Sequence, residues 1–297
     1  MAFLHAAVSH AKSSGLKKGR LPYLLLAPGL IFLFTFFILP IANLANTSAQ
    51  PPAGSTESLN TQPSLVFNNY YFAFVDNKEQ FFRSFLFAFL TTVLALAIAY
   101  PLAYAIAFKS GKYKNLLLVL VVAPFFTSFL LRTIAWKQIL GAEGPVVSTL
   151  QALNLIAPTT TLTASAVAVV AGMTYNFLPF MTLPLYASLE RIDPRTLEAS
   201  GDLYANAFTT FRKVTFPLSL PGVVAGTLLT FIPAAGDYVN AAILGNPQTK
   251  MLGNVIDSKF FRVVDYPTAA ALSFMLMAAI LILVTAYIRR AGTEELV

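Results

Sequence analysis

The sequence contains no cysteine. That excludes disulfide staples, thiolate nucleophiles and cysteine-bound metals together. Charge is scarce as well: 11% of residues are Asp, Glu, Lys or Arg, against about a quarter in a soluble domain. A surface so short of charge does not face water over most of its area. The only histidines are His5 and His10, so no Ser/His/Asp set can form in the apolar segments. There is no Gly-x-x-x-x-Gly-Lys-Ser/Thr phosphate loop, and neither catalytic carboxylate pairs nor zinc-ligand spacings occur. These absences argue against an enzyme, a metal site, and ATP binding through a phosphate loop by this chain.

What the sequence has in abundance is apolar residues, 57% of 297. A hydrocarbon core of about 30 Å needs roughly 20 of them per helix. Six runs qualify, at residues 21–43, 81–108, 116–136, 163–189, 214–244 and 267–288. In lipid every backbone polar group must be paired internally. The runs are too long and too uniformly apolar for barrel strands of about ten alternating residues. The expectation is an all-α integral membrane protein of about six transmembrane helices. It comprises a tail over 1–20, a first helix over 21–43, an external loop over 44–80, a membrane core over 81–290 and a tail over 291–297. The loop at 44–80 is rich in Pro, Ser, Thr and Asn, as in Pro51-Pro52-Ala53-Gly54-Ser55-Thr56, and is read as partly ordered with no domain of its own.

The net charge is +7. It reads as membrane orientation rather than nucleic-acid binding, because the basic residues flank the apolar runs. With six spans, one side holds Lys12, Lys17, Lys18, Arg20, Lys109, Lys112, Lys114, Arg191, Arg195, Arg212, Lys213, Arg289 and Arg290. The other holds only Lys78, Arg83, Lys137, Lys250, Lys259 and Arg262. The excess predicts that both termini are cytoplasmic. A cleavable signal peptide is the competing reading of residues 17–49. Its apolar run of about 20 residues exceeds the usual 7–15, and its removal would break the charge pattern.

The fourth loop, residues 190–213, is more than a connector. Asp193-Pro194 offers an N-cap followed by proline at the first helical position. Leu197, Leu203 and Ala207 then mix with charges as in an amphipathic helix. Such a helix suits either a partner's groove or the lipid headgroups.

Residues 198–217 resemble the cytoplasmic motif of binding-protein-dependent ABC importer permeases: Glu-Ala-Ala, three residues, Gly, nine residues, then Ile-x-Leu-Pro. Here Glu198-Ala199-Ser200 is followed by Tyr204 at the glycine position and by Val214-Thr215-Phe216-Pro217. Tyr204 is the departure, and Gly201 is the candidate to supply the flexibility that the motif's glycine would give. Other segments resemble spermidine/putrescine permeases: Pro124-Phe125-Phe126-Thr127-Ser128 with Arg132-Thr133-Ile134-Ala135-Trp136, Phe177-Leu178-Pro179-Phe180-Met181-Thr182-Leu183-Pro184-Leu185-Tyr186, Leu252-Gly253-Asn254-Val255-Ile256 and Asp265-Tyr266-Pro267.

The resemblance implies the type I ABC importer permease fold in a bacterial inner membrane. It implies a cytoplasmic coupling helix that sits in a cleft of an ATPase. Glu198 would be a polar contact to that ATPase, Ala199 and Ser200 the close-packing face, with Gly201, Asp202, Tyr204 and Pro217 in the same element. The implied partners are two ATPase copies carrying ATP and Mg, a second and different permease, an extracellular substrate-binding protein and a polyamine, with no nucleic acid and no cofactor on this chain. Permeases for iron, sulfate and other small solutes share parts of these patterns. An autonomous secondary transporter would need several buried charges and an internal repeat, and neither is evident.

Ionisable groups at membrane depth are costly and mark cavities or partners. Asp237, after Pro233-Ala234-Ala235-Gly236, is the pathway candidate, with Tyr238 and Asn240 beside it. Its carboxylate suits an ammonium, and aromatic faces attract cations. The alternative is a carboxylate bonded to local backbone. Tyr175 and Asn176 form a second polar point, alternatively a helix–helix hydrogen bond. Arg132 and Trp136 read as interfacial anchors.

Overall fold

The computed structural model describes residues 21–51, 63–157 and 161–291. The two tails, at 1–20 and 292–297, lie outside the described residues, as does most of the Pro/Ser/Thr-rich segment. The described residues are helical throughout, without strands. Five helices are long and apolar enough to cross a membrane, or six if one bent pair forms a single span.

The chain divides into two compact units, Met1–Thr47 and Ser48–Val297. The described part of the first is α1 (Leu21–Leu33), a π-helical turn at Phe34–Ile38 and the start of α2 (Leu39–Ser48). Leu30, Ile31, Phe32, Phe36 and Phe37 are all exposed within this unit. A helix that is apolar on every side and water-stable on none is what a lipid-facing span requires.

The second unit opens with α3 (Pro63–Phe108), which corrects the reading of residues 44–80 as loop: its second half is helix. The turn-forming composition ends near Pro63, and beyond it the aromatic run Tyr70-Tyr71-Phe72 favours packing. At Asn77 the backbone leaves helical geometry (φ −121°, ψ 17°), and the Asn77 amide donates to Ala73 O at 2.9 Å. The kink separates an outer leg from the span that follows.

The third apolar run is not one straight helix. Helix α4 (Lys114–Val122) ends in a 3₁₀ turn at Ala123–Phe126, and α5 (Phe129–Ile139) leaves at 97°. Pro124 occupies the turn, and Thr127 and Ser128 are extended. The Thr127 hydroxyl donates to Pro124 O at 2.8 Å, pairing a carbonyl that the break exposes. A short α6 (Pro145–Ala152) follows.

The fourth run is α7 (Ala166–Glu190), capped by Ser165, whose hydroxyl accepts from Ala168 N. The cytoplasmic-loop candidates form α8 (Pro194–Asp202) and α9 (Ala207–Thr210). A π-helical turn at Phe211–Thr215 then leads into α10 (Phe216–Ala235). The fifth run breaks after Ala235 and restarts as α11 (Val239–Leu244). Helix α12 (Leu252–Ser258) connects to the last span, α13 (Tyr266–Ala291).

Helices α3, α7 and α10 form the centre of the second unit. On α3 the stripe Ala95, Ala99, Ala103 is fully buried against Met181, Leu185 and Leu189 of α7 and Val223 of α10. In lipid, apolar burial drives helix association little, and close van der Waals approach by small residues does more. Gly222 and Gly226 show that approach on α10. A Cβ at Gly222 would lie 2.5 Å from Ser188 Cβ and 2.8 Å from Pro184 O, and one at Gly226 would lie 2.9 Å from Met181 Sδ. A second cluster gathers Phe87, Met173, Phe177, Leu244 and Met251 towards the other end of the bundle.

Candidate functional site

The first site is the α7–α10 connection. Asp193 is the N-cap of α8, its Oδ1 accepting from Arg195 N at 2.9 Å, and Pro194 follows. This is the start that the sequence predicts. Leu197 and the buried Ile192 pack against the α3/α7 cluster, which ties α8 to the end of the spans. Leu189, Ile192 and Leu197 thus form a continuous apolar link from α7 to α8.

Glu198, Ala199, Gly201 and Asp202 are exposed. Ser200 is not: it is buried, its Oγ donating to Leu197 O (2.7 Å) and lying 2.8 Å from Thr210 Oγ1. Ser200 therefore seams α8 to α9 inside the chain, and the expectation of an outward close-packing face holds geometrically for Ala199 alone. Pro217 stands exposed in the first turn of α10.

The end of α8 is a Schellman turn. Ala205 N donates to Ser200 O (3.1 Å) and Tyr204 N to Gly201 O (2.9 Å), the paired bonds of that motif. The motif needs a left-handed residue, and here it is Tyr204, with φ +60°. Gly201 lies inside α8 with no positive φ. The flexibility assigned to it is not used, and the turn is made by Tyr204 itself at a cost of about 1–2 kcal/mol. A glycine in that place would carry no such cost. Asn206 restarts the chain, its Oδ1 accepting from Thr209 N at 2.8 Å.

The second site lies at the break between α10 and α11. Asp237 is buried, its Oδ1 accepting from Asn240 N (2.9 Å) and its Oδ2 from Asn240 Nδ2 (2.6 Å). Asn240 Oδ1 accepts from Asn176 Nδ2 (3.0 Å), which also donates to Thr133 Oγ1 (3.1 Å). Asp237, Asn240 and Asn176 thus meet in one buried chain of hydrogen bonds joining α11, α7 and α5. Tyr175 and Tyr238 do not join it. Both are exposed, Tyr175 against Trp136 with ring centroids 5.5 Å apart. Sequence reasoning missed Thr133, whose signal was a hydroxyl one residue from Arg132 in an otherwise apolar run. Arg132 is partly buried, its guanidinium 5.7 Å from the Phe129 ring centre, and its Nε and Nη1 lack hydrogen-bond partners among the described residues.

A bundle of apolar spans with a capped amphipathic helix at one end and broken spans elsewhere defines a multi-pass membrane protein of the importer-permease architecture. A permease chain from the crystal structure of a bacterial alginate ABC importer superposes with a TM-score of 0.69 over 93% of this chain and 96% of that one. The sequence identity is 17%, so the likeness is one of fold.

Residues 99–291 match the binding-protein-dependent transport system inner membrane components, and the chain belongs to that family. The spermidine/putrescine transport system permease protein PotB of Haemophilus influenzae is 39% identical over 178 residues, 60% of this chain and 62% of that protein. The PotB homolog of Mycoplasma pneumoniae is 33% identical over 79% of this chain and 78% of its own length. The chain thus covers less than two thirds of the Haemophilus relative it matches.

Proposed function

We propose that the chain is the permease subunit of an ATP-driven, binding-protein-dependent importer of polyamines such as spermidine and putrescine. The observation that carries the reading is α8: a rigidly capped helix, packed on the spans through Leu197 and Ile192, with Glu198, Ala199 and Asp202 facing outward. A helix so built suits a partner's groove. The polyamine class is supported by the names of the Haemophilus and Mycoplasma relatives.

On this reading the chain lies in a bacterial inner membrane with both termini cytoplasmic, beside a second permease. Two ATPase copies hold ATP and Mg, and an extracellular binding protein delivers the substrate. Closure of the ATPases displaces α8, and the link through Ile192 and Leu189 passes the motion to α7 and α3. Asp237, Asn240 and Asn176 hold the broken spans around the route. Tyr175 and Tyr238 present aromatic faces to the substrate's ammonium groups.

The test is gentle purification of the tagged chain from its native membrane, with co-purifying chains identified by mass. Recovery of an ATPase, a second permease and a binding protein that takes up spermidine or putrescine on titration is expected. A chain that comes out alone with full transport activity on reconstitution overturns the reading. Glu198→Lys is expected to abolish uptake while leaving the chain in the membrane.

A further inference from the structure

Tyr204 combines two properties that seldom occur together. Its backbone is held in the left-handed region at φ +60°, and its side chain is 99% exposed. Backbone strain persists where the surroundings over-determine it, and it clusters at clamps and switches. A fully exposed ring gains nothing from its own chain in return. Next to it, Leu203 is 81% and Phe208 70% exposed, and neither Tyr204 nor Phe208 has an aromatic partner among the described residues. Three large apolar side chains therefore project together from the loop, outside the long apolar spans.

Membrane lipid is one place to put such a group. The charges argue against it: Glu198 and Asp202, also exposed, share this end of α8, and the cytoplasmic leaflet carries negative surface potential. A protein cleft with an apolar floor and a basic rim fits both the knob and its acidic flank.

We propose that Tyr204, flanked by Leu203 and Phe208, is a knob that inserts into an apolar, basic-rimmed cleft of the ATPase subunit and selects which ATPase this permease accepts. The proposal rests on the reading of α8 as the ATPase-docking helix and adds to it the residue that supplies the affinity. Aromatic anchors in desolvated pockets dominate binding energy at interfaces. A permease with glycine at this turn would present no ring, so its ATPase needs no pocket there.

The experiment uses the transporter purified from native membranes with this chain tagged, reading the ATPase retained per permease through a salt wash and the thermal stability of the permease. Tyr204→Gly suits the left-handed turn and removes the ring. Unaltered or raised stability with about tenfold or greater loss of retained ATPase is expected, whereas Tyr204→Phe keeps wild-type retention. Wild-type retention by Tyr204→Gly alongside loss by Glu198→Lys overturns the knob and leaves the docking helix standing. Wild-type retention by both variants overturns the docking helix as well. A nitroxide at Tyr204→Cys that is relaxed by oxygen rather than by water-soluble nickel in the assembled complex places the ring in lipid, and that also overturns the proposal.

Discussion

Asp237 shows how one residue serves two readings that geometry can separate. Its carboxylate accepts both the backbone N–H and the side-chain amide of Asn240, so it fastens the restart of the fifth span. Hydrogen bonds to a charged acceptor contribute about 1.5–3 kcal/mol, and an unpaired buried donor costs a similar amount. Asp237→Asn cannot accept both bonds through its amide nitrogen. It is expected to lower the thermal stability of the detergent-purified chain by an amount in that range and to raise the half-saturation for spermidine uptake. Altered uptake with unaltered stability would mean that the carboxylate meets substrate and does not fasten the helix. The pairing of Asp237 with Asn240 was half legible in the sequence, because three residues separate them at a Pro/Gly break. The link to Asn176 and Thr133 was not, because it crosses three helices far apart in the chain.

At the scale of elements, the bundle is held where α10 comes closest to α7. Gly222 and Gly226 sit on one face of α10, four residues apart, and the space beside each is already taken by Pro184, Ser188 and Met181. Gly222→Leu must push the helices apart and lose the van der Waals contact that supports association in lipid. The expected outcome is a variant that inserts but melts at lower temperature and is cleaved faster by protease. Gly29→Leu, in the first span with open space around it, is the control and is expected to change neither. The apolar runs themselves were readable from composition. The bends were only partly so: Pro233 and Gly236 announced the fifth span's break, whereas Pro101, Pro179 and Pro184 lie in helices that continue. A proline breaks a span only where neighbouring packing accepts the new direction, as it does at the 97° bend after Pro124.

For the whole molecule, the absence of native cysteine permits a direct check of orientation. Lys213, near α8, and Phe261, between α12 and α13, are both exposed. With both termini cytoplasmic, Lys213→Cys is expected to react with a membrane-impermeant maleimide only after the membrane is opened, and Phe261→Cys in intact cells with a permeable outer layer. The reverse pattern would invert the topology and remove α8 from the reach of a cytoplasmic ATPase.

The sequence by itself determined that this is an apolar, helical, membrane-spanning chain. Hydrocarbon leaves a backbone few ways to pair its polar groups, and local composition over about 20 residues decides the matter. It also determined the start of α8, because an N-cap and a proline act within one turn. Only the tertiary structure decided which polar residues meet, that Ser200 faces inward, and that Tyr204 rather than Gly201 makes the left-handed turn. Those outcomes depend on contacts between segments distant in sequence, and on a competition among neighbouring residues for one strained position that no single window of sequence can resolve.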